Sequence, residues 1–143
     1  MTHSQAATNL VASFEGCSLV AYQDGNQIWT IGYGHAIGVK SGDTCTQQEA
    51  LEWLSEDLTT ADDAIARLVK VDLQQHQWDG LVSFVFNIGQ GHFASSTCLR
   101  LLNAGDSGGA CAAMGMWDKI AGQVSAGLVR RRAAEMAMFR GDQ

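Results

Sequence analysis

The sequence predicts a single α+β domain, mainly α, in which a small β-containing unit near the N-terminus is followed by helices to the C-terminus. Three observations carry this reading. A chain of 143 residues is one domain's worth and buries one sizeable core. Apolar residues recur at helical steps of three and four along most of it, and only Leu19 to Gly38 changes to a strand-like pattern. Hydrophobic residues make up 46% and charged residues 17%, a balance that excludes disorder, collagen-like repeats and membrane-spanning architectures.

In chain order, Ala7, Leu10, Val11 and Phe14 fall on one helical face, which predicts a short helix over 4 to 15 with Gly16 as its stop and Glu15 in its last turn. Tyr22-Gln23-Asp24-Gly25-Asn26 is turn chemistry, and Ile28, Trp29, Thr30, Ile31 and Tyr33 read as strand, giving an antiparallel hairpin with a third short strand. Thr46 and Glu49 form a capping box ahead of Leu51, Leu54, Leu58, Ala61, Ile65 and Leu68, so a helix runs over 46 to 70, with a break near Thr59-Thr60. Its acids read as a solvated outer face. Residues 74 to 88 are apolar on more than one face, which marks a buried central helix ended by Gly89-Gln90-Gly91. Shorter helices follow at about 95 to 103 and 109 to 117, and a last one at about 127 to 140 carries Arg130, Arg131 and Arg132. Proline is absent, so every break rests on glycine, Asn/Asp or capping chemistry.

Several function classes are excluded or disfavoured. The net charge of −6 supplies no basic field for nucleic acid. Cys17, Cys45, Cys98 and Cys111 form no C-x-x-C pair and are expected to be free thiols. His3, His35, His76 and His92 lack metal-ligand spacing, so no metal is expected. Gly32-Tyr33-Gly34 meets Ile37 where a dinucleotide loop needs its third glycine, and neither a Walker loop nor a G-x-S-x-G elbow occurs, so no cofactor is expected. No run approaches the roughly 18 apolar residues of a membrane span, and Met1 to Asn9 has neither a basic n-region nor an apolar h-region. Neither export by a Sec signal nor stable membrane association is expected.

What remains is a pair of carboxylates, Glu15 at a helix end and Asp24 in the following hairpin turn. Two such groups across a cleft suit glycoside hydrolysis, where one carboxyl donates a proton to the leaving oxygen and the other stays ionised. Their surroundings differ, since Glu15 follows the apolar Phe14 whereas Asp24 lies among Gln23, Gly25 and Asn26. Spacing alone is equally satisfied by a surface acid at a helix end and a turn-forming aspartate.

The wider string is more specific. Phe14-Glu15-Gly16, Ala21-Tyr22-x-Asp24-Gly25 and Trp29-Thr30-Ile31-Gly32-Tyr33-Gly34-His35 resemble the N-terminal signature of phage-type lysozymes, glycoside hydrolase family 24. The resemblance continues through Leu54-Ser-Glu-Asp57-Leu58, Ser83-Phe84-x-Phe86-Asn87-x-Gly89 and Gly127-Leu128-x-x-Arg131-Arg132-x-x-Glu135. It implies a lysozyme-like single catalytic domain over 1–143, with a small N-terminal β-containing lobe (about 14–57) and a larger helical lobe (1–13 plus 70–143). Helix 46–70 would join the two, and the active-site groove would lie between them. By resemblance Glu15 is the general acid, with Asp24 and Thr30 completing the catalytic set. Gly32, Phe86 and Asn87 are expected at the substrate groove, Arg131 facing Glu15, and His35 paired with Asp57 in a supporting role. Asn87 is equally readable as a helix C-cap, and at least one of the three arginines as solvated.

The implied activity is a muramidase cleaving the β-1,4 bond from N-acetylmuramic acid to N-acetylglucosamine, by inversion if Asp24 and Thr30 hold a water opposite Glu15. The implied partner is bacterial peptidoglycan. The protein is expected to be a monomer that gathers in the host cytoplasm before lysis and reaches the periplasmic wall by holin-dependent release. The alternatives are a lytic transglycosylase, which needs only one acid, and a non-catalytic wall-binding relative, which has no use for Glu15, Asp24 and Thr30 together. The acidic charge weakens adsorption to an anionic wall without changing the reaction.

Overall fold

The computed structural model describes residues 1–142. Helix α1 (Gln5–Phe14) leads into the antiparallel hairpin β1 (Ser18–Gln23) and β2 (Trp29–Gly32). Helices α2 (Gln47–Asp57) and α3 (Thr59–Leu68) follow, then the central α4 (Gln75–Ile88), the short α5 (Gln90–Ala94), α6 (Thr97–Asn103) and α7 (Ser107–Met114). A two-residue hairpin, β3 (Lys119–Ile120) and β4 (Gln123–Val124), precedes α8 (Ala126–Arg140).

The β unit is smaller than expected. Tyr22 pairs with Thr30 and Gln23 with Trp29, while the Ser18 to Gly32 pairing is out of step with these, so a bulge bends β1. The expected third strand is reduced to one bridge between Val20 and Thr44, flanked by Cys45 N–H to Leu19 O and Ala21 N–H to Asp43 O, both at 2.9 Å.

The helix expected over 46–70 is two. Thr46 and Glu49 form the capping box, with Glu49 N–H to Thr46 Oγ1 at 3.1 Å and Thr46 N–H to Glu49 Oε1 at 3.0 Å. The break falls at Leu58, whose backbone (φ −69°, ψ −14°) stays near helical values. The acids of this stretch are not all a solvated face. Asp62 is 4% exposed and accepts hydrogen bonds from the His3 backbone N–H (2.9 Å) and from Trp78 Nε1 (2.7 Å). A polar group this buried must be paired to be tolerated, and here it ties the N-terminal segment to α3 and α4.

Helix α4 is the centre of the helical part, buried from Trp78 through Val85. Val11, Leu54, Leu58, Ile65, Phe93 and Met114 pack into the same core. Its closest partner is α8, and Gly80 sets that approach. A Cβ there would lie 2.8 Å from Glu135 O and 3.0 Å from Phe139 N, both backbone atoms that cannot rotate away. Gly80→Ala should therefore destabilise by about 2 kcal/mol, overpacking outweighing alanine's better helix propensity. A urea midpoint equal to or above wild type would show that the two helices separate at no cost.

Candidate active site

Glu15 is not in the last turn of α1. It is the residue that leaves the helix, with φ −89° and ψ 140°, while its N–H still bonds Val11 O. Helix end and strand start are thus joined by only Glu15, Gly16 and Cys17, and the side chain emerges where α1 meets the β unit. Its carboxylate is one-third exposed, and Oε1 accepts a hydrogen bond from Arg131 Nη1 at 2.8 Å. The neighbour of Glu15 is therefore a guanidinium as well as the apolar Phe14, over whose ring the same Arg131 lies at 5.5 Å.

That guanidinium is itself divided. Arg131 Nε donates to Glu135 Oε2 at 3.1 Å, and its Nη2 reaches the carbonyl and hydroxyl of Ser83, each at 3.4 Å. Arg132 approaches the other oxygen of Glu135 at 3.3 Å, lies over Phe84 at 5.2 Å, and donates to Asn87 Oδ1. Ser83 donates its hydroxyl to Glu135. Both arginines and Glu135 are buried, whereas Arg130 alone is exposed, so only one member of the basic run is the solvated arginine expected for it. Burial pushes the Glu135 carboxyl up from its ordinary value, against the pull of both guanidiniums and the Ser83 hydroxyl, and pushes Arg132 down. The result is a polar chain, buried at Arg131, Glu135 and Arg132, that runs from the partly exposed Glu15 to the exposed Asn87.

Asp24 occupies the hairpin turn and is committed through one oxygen only. Oδ1 accepts from Asn26 N–H (2.8 Å) and Ile28 N–H (2.9 Å), the turn-forming role readable in its neighbours. Oδ2 has no hydrogen-bond partner among the described residues. Thr30, 5% exposed on β2, donates its hydroxyl to Ile28 O at 2.9 Å, which fixes the rotor and leaves its lone pairs free to accept. The same turn thus orients both side chains, because the Ile28 peptide is bonded through its N–H to Asp24 and through its C=O to Thr30.

The supporting pair is present as a contact. His35 Nδ1 lies 3.0 Å from Asp57 Oδ2, and its ring stacks on Trp53 at 4.9 Å, which pins the turn after β2 to α2. Gly32 is explained by packing. It is buried at φ +66°, and a Cβ would come within 3.1 Å of Ala50 Cβ, so its missing side chain faces α2, and only its backbone is left for a sugar. Phe86 is half-buried and lines a cavity of about 330 Å³ with Thr60, Ala61 and Gln90, apart from the carboxylates. Asn87 is exposed and does not cap its helix, which ends at Gly89; its carbonyl oxygen is held by Arg132.

A cavity of about 430 Å³ is lined by Phe14, Ile120, Leu128, Arg130 and Arg131, the partner of Glu15, but not by Glu15 itself. A larger one, about 660 Å³, lies beyond α4 among His76, Cys111, Met136 and Arg140, and contains none of Glu15, Asp24 or Thr30. The candidate site is distinguished by its chemistry and not by its volume. Reading the residues alone missed Glu135 and Ser83, although the spacing of Arg131, Arg132 and Glu135 by four and three on one helix was a signal for a shared ion cluster.

Small hairpin, helical body and a glutamate leaving the first helix define a lysozyme-like protein. The phage lysozyme family model matches residues 12–135, and the chain belongs to that family. The endolysin of Bacillus phage PZA is 42% identical over 142 residues, covering 97% of this chain, and the chain spans about half of it (55%). The endolysin of Salmonella phage P22 is 45% identical over 130 residues, 87% of this chain and 88% of its own, and a P22 lysozyme mutant superposes with TM-score 0.90 over 98% and 99% of the two chains. The muramidase domain of SpmX from Asticaccaulis excentricus is 41% identical with TM-score 0.88 and 95% coverage of each chain.

Proposed function

We propose that this chain is a muramidase of the glycoside hydrolase family 24 type, hydrolysing the β-1,4 bond from N-acetylmuramic acid to N-acetylglucosamine in bacterial peptidoglycan with inversion at the anomeric carbon. The observation that carries the reading is that Glu15, held by Arg131 at the end of α1, leads directly into a hairpin whose Asp24 keeps one carboxylate oxygen unpaired and whose Thr30 hydroxyl is fixed on the same Ile28 peptide as Asp24. Glu15 donates the proton to the leaving glycosidic oxygen. Asp24 Oδ2 and Thr30 Oγ1 both accept from a water, so the water's two protons point to protein and its lone pair to the sugar. Neither Gly32, by its backbone, nor Phe86 and Asn87 is needed for proton transfer; they act as walls for the glycan.

The stereochemistry is the test. Attack by a water held on Asp24 gives the α-anomer as first product, and needs the two carboxyls about 6.5 to 9.5 Å apart. Proton NMR of a chitooligosaccharide or muropeptide digest, read before mutarotation, should show that anomer. A β-anomer makes Asp24 the nucleophile, and anhydro ends make the enzyme a lytic transglycosylase. Asp24→Asn should lower the lysis rate of chloroform-treated Gram-negative cells roughly 10²-fold. The amide still serves the turn, so the melting temperature should hardly move; a rate within about threefold of wild type would remove Asp24 from the chemistry.

A further inference from the structure

On the opposite side of α2 from His35, three side chains have the geometry of an activated nucleophile. His3 Nδ1 lies 2.6 Å from Asp62 Oδ2, and His3 Nε2 lies 2.9 Å from the hydroxyl oxygen of Ser55 on α2. An ionised carboxylate only accepts, so in the neutral imidazole the proton sits on Nδ1 and the Nε2 lone pair is left facing the Ser55 hydroxyl. These are the nucleophile-to-base and base-to-orienter contacts of a hydroxyl made nucleophilic. Asp62 is held in place by its other oxygen, which takes the His3 backbone N–H and Trp78 Nε1. Anchoring of the N-terminal segment is already achieved by those bonds; it does not call for Ser55.

The group is also reachable. Ser55 is half-buried, and with His3 and Asp62 it lines a cavity of about 460 Å³ whose other walls include Thr2, Glu52 and Thr59. Glu52 and Glu56 at this cavity disfavour an anionic ligand and leave a neutral or cationic one.

We propose that Ser55, His3 and Asp62 form a second reactive site, separate from the glycosidase chemistry, at which Ser55 accepts the acyl group of small neutral or cationic carboxylic esters. Ser55 Oγ bonds to the ester carbonyl carbon while its proton passes to His3 Nε2. The tetrahedral adduct expels the alcohol, which takes that proton back, leaving acyl-Ser55. Water, deprotonated by His3, then releases the carboxylic acid and restores the hydroxyl. Base assistance of this kind accounts for roughly 10² to 10⁴ in rate.

The test is reaction of the full chain with a neutral alkyl fluorophosphonate, which phosphonylates activated serines with loss of fluoride, followed by peptide mass spectrometry. The expected result is a single adduct at Ser55, absent in Ser55→Ala and formed roughly 10²-fold more slowly in His3→Gln. No adduct at Ser55, or one no faster than at the exposed Ser13 and Ser41, overturns the proposal. So does an unchanged Ser55 rate in His3→Gln. If melting shows His3→Gln unfolded, the comparison of Ser55 with Ser13 and Ser41 in the wild-type chain decides alone.

Discussion

Glu15→Gln should abolish lysis, lowering the rate by about 10³-fold or more, while the protein melts within about 1 kcal/mol of wild type. The amide has the shape of the acid and still accepts from Arg131 Nη1, but it has no proton to give a leaving oxygen. The fold tolerates the change because the Glu15 carboxylate is one-third exposed and Arg131 keeps its second partner, Glu135. Losing one arm of a shared, partly solvated ion pair is a small stability term. Lysis and melting must therefore be read together. A variant lysing within about tenfold of wild type would remove Glu15 as the acid, and loss of lysis accompanied by unfolding would leave the role of the carboxyl to its packing.

The sequence was most legible where a side chain's role is local. The Thr46 and Glu49 box, the burial of α4 on more than one face and the Asp24 turn are set by residues within a few positions of one another, and each is found as read. What was missed depends on distant partners. Asp62 looks like one more acid on a helix, and only the return of His3 and Trp78 to the same place makes it an interior group. The hairpin of β3 and β4 was hidden for a different reason. Its turn runs through Ala121 at φ 51° and Gly122 at φ 81°, and an alanine stands where asparagine, aspartate or glycine would have announced such a turn. The candidate site shows the same division. Glu15 and Asp24 were picked out as a pair of carboxylates, and Thr30 and Arg131 by resemblance. The charge cluster behind Arg131 was missed despite the helical spacing of Glu135, because three adjacent arginines on a terminal helix ordinarily face solvent.

That cluster gives the largest stability effect expected of any single change. Glu135 is fully buried between Arg131 and Arg132 and takes the Ser83 hydroxyl. Glu135→Ala removes the carboxylate that both guanidiniums share and leaves a void under α8, so it should cost about 3 to 5 kcal/mol in urea unfolding at neutral pH. Glu135→Gln keeps the volume and should cost less, with a deficit that depends on pH. Burial raises the Glu135 carboxyl in the folded state, so what it contributes to stability is complete below its unfolded value and fades as pH rises through the raised folded value. The gap between wild type and Glu135→Gln should accordingly narrow from pH 4 toward pH 7. A gap that widens over that range would mean that the two arginines outweigh burial, and that the fold prefers Glu135 charged.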